Sequence, residues 1–173
     1  MTEEKFVFEV QGPFDVPCDD ERGGRSIDAG HGRALFEDSE AEELAGIRGC
    51  YVFGLRGSRG HITPWYVGKT SKGTFESECF TSHKLVKYNK ALMISGRGTP
   101  VLFFLVHPRQ RGRANSEAIE QLETFLIQLA AATNENLLNE TKKEGRWWSV
   151  RGFEGSGRPT QAAKVLARAL AWY

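Results

Sequence analysis

The sequence has few cysteines, little net charge and no long apolar run. Its 173 residues include three cysteines, Cys18, Cys50 and Cys79, which form no C-x-x-C pair, so neither a disulfide framework nor a zinc site is indicated. The 23 basic and 22 acidic residues leave a net charge of +1, so any affinity for a polyanion must come from a local patch. There is no apolar stretch of membrane-spanning length and no signal-peptide pattern, which predicts a cytoplasmic protein.

The composition is that of an ordinary globular protein. Apolar residues make up 40% of the chain and charged residues 26%, and the length suits one domain with extensions. We expect an N-terminal extension over 1–47, a central domain over 48–140 and a C-terminal extension over 141–173, packed as one compact unit.

The N-terminal extension contains few regular signals. Phe6, Phe8 and Val10 alternate with Val7 and Glu9, which predicts a first strand over 6–10 that ends at Gly12-Pro13. Residues 14–32 are rich in Gly, Asp and Arg and are interpreted as a long loop. Ser39 and Glu42 form a capping box, so a short helix is predicted over 40–45.

The most informative stretch is a predicted hairpin over 49–68. Two short runs of β-branched and aromatic residues, 49–55 and 65–68, flank a turn-forming segment. Alternation predicts that Tyr66 points away from Trp65 and Val67. One register of the two strands brings Tyr51 and Tyr66 together on the same face. Two strand tyrosines are compatible with cross-strand packing as well as with a functional pair.

The segments that follow predict helix, strand and a basic loop. Apolar residues at spacings of three and four indicate a helix over about 75–93, on which Cys79 and His83 share a face. Residues 101–106 are apolar at every position, which is typical of a strand at the centre of a sheet. The loop after that strand is either solvated or a phosphate contact. Its three arginines are Arg109, Arg111 and Arg113.

A capped helix is predicted over about 117–132, with one carboxylate in its apolar stripe. At about 100° per residue, Glu123 falls within the stripe formed by Ile119, Leu122 and Leu126. A carboxylate facing a core needs an ionic partner or a metal. Glu123 is therefore either part of a structural salt bridge or a metal ligand.

The C-terminal segment carries two weaker signals. Residues 147–150 suggest an edge strand or an aromatic lid, and a final helix is predicted to begin near Pro159.

Gly49-Cys50-Tyr51 and Tyr66-Val67-Gly68, joined by a short hairpin loop, resemble the two halves of the GIY-YIG endonuclease signature. The likeness covers about residues 49–140. It implies an α/β (α+β) fold with a small antiparallel central sheet flanked by helices. The family's remaining site residues correspond here, in order, to His83, Glu123 and Asn139.

The resemblance implies hydrolysis of nucleic-acid phosphodiesters, DNA rather than RNA, with one Mg²⁺ or Mn²⁺ held by Glu123. Tyr51 would act as general base assisted by His83, Tyr66 would bond the phosphate or the water, and Asn139 would brace the site. Cys79 stands where the family has an arginine. The cations that offer a substitute are Lys69, Lys72, Lys84, Lys87 and the three loop arginines.

Two other interpretations remain open. The first is a module of the same fold that binds nucleic acid or a protein without cutting, because the family arginine is missing. It predicts salt-sensitive binding without turnover. The second is an unrelated α/β domain whose two tyrosines match the signature by coincidence.

Overall fold

The computed structural model describes residues 7–21, 23–37, 40–70, 72–108, 114–143, 158 and 160–170. The chain divides into two units, Met1–Lys143 and Glu144–Tyr173. The first unit is a mixed α+β domain built on a four-stranded antiparallel sheet. In the second, the described residues form one helix, Gln161–Ala169. No helix in the described part of the chain combines the length and apolarity needed to cross a membrane.

The main sheet has two inner and two outer strands. In spatial order it consists of β1, β6, β4 and β5, and every neighbouring pair is antiparallel. A separate small hairpin is formed by β2 and β3. The strand bounds are β1 Glu9–Asp15, β2 Asp19–Glu21, β3 Gly24–Ser26, β4 Gly49–Arg56, β5 Ile62–Thr70 and β6 Thr99–Val106.

Helices of the first unit cover both faces of its main sheet. Their bounds are α1 Ala29–Glu37, α2 Phe75–Cys79, α3 Ser82–Ser95 and α4 Ser116–Thr133, with a 3₁₀ turn at Glu42–Leu44. The helix of the second unit is α5, Gln161–Ala169. On one face Tyr88 of α3 stacks on Phe53 of β4, with ring centres 4.2 Å apart. On the other face Ile119 of α4 packs with Cys50, and Ile127 packs with Val67. Period-two alternation along β4 therefore sends Tyr51 and Cys50 to opposite faces.

The strongest sequence signals are confirmed. The strand predicted over 101–106 is β6, an inner strand whose residues are mostly buried. The helix predicted over 117–132 is α4, capped by the Asn115 side chain, which accepts a hydrogen bond from the backbone N–H of Ala118. The helix predicted after Pro159 is α5. The antiparallel hairpin is formed by β4 and β5.

The N-terminal predictions were partly wrong. The first strand lies at Glu9–Asp15 and runs through Gly12-Pro13 instead of stopping there, because a register shift lets β1 continue along β6. The segment 14–32, interpreted as a loop, contains β2, β3 and the start of α1. The helix expected over 40–45 is a single 3₁₀ turn at Glu42–Leu44.

Two local details also differ from prediction. The helix expected over 75–93 is broken between α2 and α3, so Cys79 and His83 lie on separate helices. In β5 the register shifts beside Trp65, since Phe53 pairs with Tyr66 and Gly54 with Pro64. Such a bulge adds one residue and breaks the alternation. Trp65 and Tyr66 therefore join the same buried cluster, and only Val67 lies on the other face, as predicted.

Candidate functional site

The two tyrosines of the hairpin lie on one face of the sheet. Tyr51 pairs with Gly68 across the strands, which places Tyr66 diagonally beside it. Their ring centres are 6.4 Å apart, with the planes inclined at 44°. The predicted convergence of the two phenols is confirmed.

Tyr51 is sealed beneath the surface. Its side chain is fully buried, and its ring crosses Gly68 so closely that a Cβ there would lie 2.2 Å from Cζ of Tyr51. The Tyr51 hydroxyl is buried beside that of Tyr88. Burial, and secondarily the neighbouring Tyr88 and Cys79, raise the pKa of Tyr51 well above its usual value. A phenol held in this way keeps its proton.

Tyr66 is the tyrosine that reaches a cavity. Its hydroxyl accepts a hydrogen bond of 2.8 Å from Nζ of Lys84. The same ammonium lies 5.1 Å from the centre of the Tyr66 ring, within the range of a cation–π contact. Lys84 follows His83 in the first turn of α3.

A cavity of about 320 Å³ brings together four of the five predicted catalytic residues. We call it the Tyr66 cavity. It opens where α3 and α4 approach the outer edge of β5. Its polar lining comprises Tyr66, His83, Lys87, Glu123, Asn139, Glu140, Thr141 and Lys142. The fifth predicted residue, Tyr51, lies behind Tyr66 and does not line this cavity.

Glu123 lies at the wall of the Tyr66 cavity and is paired with two lysines. Its side chain is only 12% exposed; its Oε2 lies 2.7 Å from Nζ of Lys142 and 3.2 Å from Nζ of Lys69. Glu120, one turn earlier on α4, contacts the same two ammonium groups. These four residues form a carboxylate–lysine network. The salt bridge considered for Glu123 is therefore present.

Around Glu123, the described residues offer a divalent cation a single carboxylate oxygen as ligand. Among the described residues, no three His, Cys, Asp or Glu side chains are arranged to hold a metal ion. Both lysines contact Oε2 of Glu123, and no hydrogen bond from a described residue reaches Oε1. Mg²⁺ often keeps several waters and takes one or two carboxylates. Glu123 Oε1 is able to serve as such a single ligand, against the repulsion of two nearby ammonium groups.

Asn139 braces the edge of the sheet. Its Oδ1 accepts a hydrogen bond of 2.9 Å from the backbone N–H of Val67, and its Nδ2 donates one of 2.8 Å to the Val67 carbonyl. Leu138 donates its backbone N–H to the Trp65 carbonyl, and Asn134 donates Nδ2 to that of Pro64. The segment after α4 thus lies along β5 and bonds its outer edge. This geometry suits the bracing role expected of Asn139.

The residue in the position of the family arginine faces the core. Cys79 is fully buried at the end of α2, and its carbonyl accepts a hydrogen bond from the Tyr88 hydroxyl. Burial raises the pKa of its thiol well above the usual value. A cation at this position would have to leave the core to reach the Tyr66 cavity. Lys84 is the cation bonded to the exposed side of the tyrosine pair.

The other predicted substrate-binding cations have separate environments. Lys87 pairs with Glu140, and this contact lowers the pKa of the Glu140 carboxyl. Lys69 belongs to the carboxylate–lysine network, and Lys72 is exposed. Arg109, Arg111 and Arg113 lie outside the described residues, as does the predicted edge strand over 147–150.

Sequence reasoning missed Lys142 and Glu120. Lys142 follows Asn139 in a polar segment without a periodic pattern, and its backbone adopts a left-handed conformation with φ of 64°. That conformation is uncommon outside glycine, and a run of polar residues does not signal it. Glu120 had a usable signal, since i,i+3 spacing places it one turn from Glu123 on α4.

Comparison of the chain with protein-family models, curated proteins and solved structures found no match.

Proposed function

We propose that this chain hydrolyses phosphodiester bonds of nucleic acid, DNA rather than RNA, at the Tyr66 cavity, in the manner of the GIY-YIG nucleases that its motifs resemble. One observation carries the proposal. Tyr66, His83, Glu123 and Asn139 come from separate parts of the chain and line the same cavity of about 320 Å³. They are four of the five residues that the resemblance assigns to the site, and Tyr51 is the fifth.

Charge at the cavity suits a phosphodiester. The ammonium groups of Lys84, Lys87 and Lys142 lie in or beside it, and cations attract and orient a phosphate through charge-assisted hydrogen bonds. In this proposal Lys84 supplies the positive charge that an arginine supplies in the family. Its bond to Tyr66 fixes both groups on the same side of the cavity.

The chemistry divides among residues that reach the cavity. The exposed imidazole of His83 accepts a proton from the attacking water as the water oxygen bonds to phosphorus. The phosphorus–oxygen bond to the leaving group then breaks, and the leaving oxygen takes a proton from solvent. Tyr66 and Lys84 contact the phosphate oxygens. Tyr51 does not act as the general base in this proposal, because its buried phenol keeps its proton. It packs beneath Tyr66 instead.

A divalent cation, Mg²⁺ or Mn²⁺, would be held by Glu123 and would stabilise negative charge on the leaving oxygen. The carboxylate–lysine network competes for the same side chain. Lys142 must therefore move aside or share Glu123.

The test is cleavage of labelled DNA and RNA strands by the purified chain in Mg²⁺, in Mn²⁺ and in EDTA. Glu123→Ala and Tyr66→Phe should lose cleavage, and Tyr51→Phe should retain most of it. Glu135→Ala is the matched control, since Glu135 is an exposed carboxylate beyond the end of α4. Cleavage that survives Glu123→Ala, or that needs no divalent cation, would contradict the proposal.

A second candidate is binding of nucleic acid without cleavage. It is favoured by the two lysines already paired with Glu123, together with the buried cysteine at the arginine position. It predicts salt-dependent binding and no product with any divalent cation. The cleavage assay separates the two candidates directly.

A further inference from the structure

A second cavity lies at the other end of the seam between α3 and β5. It has a volume of about 630 Å³ and is floored by Trp65 and Leu55. We call it the hairpin cavity, because the β4–β5 turn forms one wall and the turn after α3 forms the other. Its polar lining is Ser58, Arg59, His61, Thr63, Ser95 and Arg97, and none of the described residues that line it is acidic.

The two arginines of the hairpin cavity are exposed and unengaged. Neither Arg59 nor Arg97 forms an ion pair or a side-chain hydrogen bond with a described residue. Other arginines near this end of the sheet behave differently. Arg56 pairs with Asp15 at 2.8 Å, and Arg25 donates to the Gly98 carbonyl at 2.5 Å. Arg59 and Arg97 therefore remain available to an anion.

Both arginines are carried on ordered turns. The β4–β5 turn is closed by hydrogen bonds from Gly57 N–H to the His61 carbonyl and from Gly60 N–H to the Gly57 carbonyl. Arg97 stands between two glycines with positive φ, Gly96 at 65° and Gly98 at 95°. The two turns therefore place Arg59 and Arg97 in the lining of one cavity, and two guanidinium groups beside one cavity suit an oxyanion.

The hairpin cavity and the Tyr66 cavity share two elements. The start of α3 lines the Tyr66 cavity through His83 and Lys87, and the end of α3 lines the hairpin cavity through Ser95. From Lys87 to Ser95 the helix rises about 12 Å. On β5, Tyr66 and Thr63 are about 10 Å apart. Phosphates of one strand advance about 3.4 Å along a duplex axis and are farther apart in an extended, unpaired strand, so about two to four nucleotides span the gap.

We propose that the hairpin cavity binds the phosphate backbone of the same nucleic-acid strand that occupies the Tyr66 cavity, about two to four nucleotides from the bond held there. This inference rests on the proposed function for its ligand, but not on cleavage. Arg59 and Arg97 clamp a backbone phosphate, and the hydroxyls of Ser58, Thr63 and Ser95 offer further hydrogen bonds. The site reads no base sequence, since only backbone oxygens are contacted.

The experiment measures binding of the full chain in EDTA by fluorescence anisotropy. The probes are a labelled oligodeoxynucleotide of about twelve nucleotides, which reaches both cavities, and a labelled dinucleotide, which reaches one. The variants Arg59→Gln and Arg97→Gln are compared with Arg33→Gln, which removes the same charge from an exposed position on α1. Circular dichroism checks that each variant is folded.

Arg59→Gln and Arg97→Gln should each lower the affinity for the longer probe about five- to tenfold at low salt. Each should also reduce, by about 0.7, the steepness with which the logarithm of the binding constant falls with the logarithm of the salt concentration. Neither should change binding of the dinucleotide, and Arg33→Gln should change neither probe. Equal affinities in all three variants would overturn the inference. So would equal loss for both probes, or competition by inorganic phosphate alone, since these would indicate a separate site for a small phosphate.

The outcome is independent of the cleavage test. If no divalent cation supports cleavage but the longer probe still depends on Arg59 and Arg97, hydrolysis fails and the strand-binding inference stands. If the wild type cleaves and both arginine variants bind and cleave like Arg33→Gln, the strand-binding inference fails and hydrolysis stands.

Discussion

Lys84 donates a hydrogen bond of 2.8 Å to the hydroxyl of Tyr66 and lies 5.1 Å from the centre of its ring. The contact joins the first turn of α3 to β5 at the point where the tyrosine pair meets solvent. It fixes a cation beside the phenol that reaches the Tyr66 cavity, whereas Cys79, which the resemblance aligns with an arginine, is buried in the core.

Replacing Lys84 by methionine keeps the length of the side chain and removes its charge. We expect Lys84→Met to lower the cleavage rate by about 10²-fold, the usual effect of removing one preorganised donor from a developing charge. It should also reduce the free energy of unfolding by about 1 kcal/mol, since Tyr66 loses its bond. Lys90→Met, at an exposed lysine of the same helix, is the control. Equal behaviour of the two variants in both measurements would contradict this role.

Asn139 should stabilise the fold more than its neighbours do. Asn139→Ala removes both side-chain bonds to the Val67 backbone and should lower the free energy of unfolding by about 2–3 kcal/mol. Hydrogen exchange at the Val67 amide should become faster. Asn136→Ala is the control, because the Asn136 side chain is exposed and no side-chain bond is lost. It should change stability by less than about 0.5 kcal/mol.

Buried tyrosines should make the fold sensitive to alkaline pH. Burial raises the pKa values of Tyr51 and Tyr88 well above the ordinary value. The unfolded chain therefore releases these protons at about pH 10, whereas the folded chain retains them. The unfolded state then binds fewer protons, so the stability present below about pH 10 falls as the pH rises. The Cys50 thiol also lowers stability as the pH rises, because burial raises its pKa to about 12 in the folded chain. Its contribution begins at a lower pH than that of the tyrosines, since an unfolded thiol ionises before a phenol.

Tyr51→Phe isolates one of these contributions. The substitution removes one hydroxyl from a buried ring and leaves the rest of the side chain in place, so the variant should fold. Above about pH 10 its free energy of unfolding should fall less steeply than that of the wild type, by about 1.4 kcal/mol per pH unit. Urea unfolding at a series of pH values measures the slope. An unchanged slope would mean that Tyr51 ionises in the folded state, and would restore it as a candidate general base.

The elements that could be predicted were those whose own residues determine their environment. From Val101 to Val106 the strand β6 is apolar at every position because it packs on both faces. Helix α4 combines a capping residue with an apolar stripe in which Glu123 stands out. The convergence of Tyr51 and Tyr66 followed from alternation and one register. Each of these signals is local and periodic.

The features that could not be predicted depend on partners distant in the sequence or on backbone irregularity. The strands β2 and β3 have three residues each and are almost entirely exposed, so they carry no alternation. The bulge at Trp65 is one extra residue, which period-two reasoning cannot foresee. The partners of Glu123 are Lys69 on β5 and Lys142 after α4. Only the folded chain brings these charges together.

The carboxylate–lysine network should limit the affinity of the site for a divalent cation. Both ammonium groups contact Oε2 of Glu123, and a nearby positive charge disfavours a second cation at the same carboxylate. Lys142→Met should therefore increase the affinity for Mn²⁺ about five- to tenfold, as measured by calorimetry. Glu123→Gln should abolish this binding.

The neighbouring residue provides the matched control. Lys143→Met removes the same charge one position along the chain, but Nζ of Lys143 donates to the Leu137 carbonyl and contacts no described carboxylate. It should leave the affinity for Mn²⁺ nearly unchanged. If Lys142→Met and Lys143→Met have the same effect, the lysines act only through general charge and the network does not compete for Glu123. If Lys142→Met alone binds Mn²⁺ more tightly and also cleaves faster, displacement of Lys142 from Glu123 is a step that the wild type must complete before it cuts.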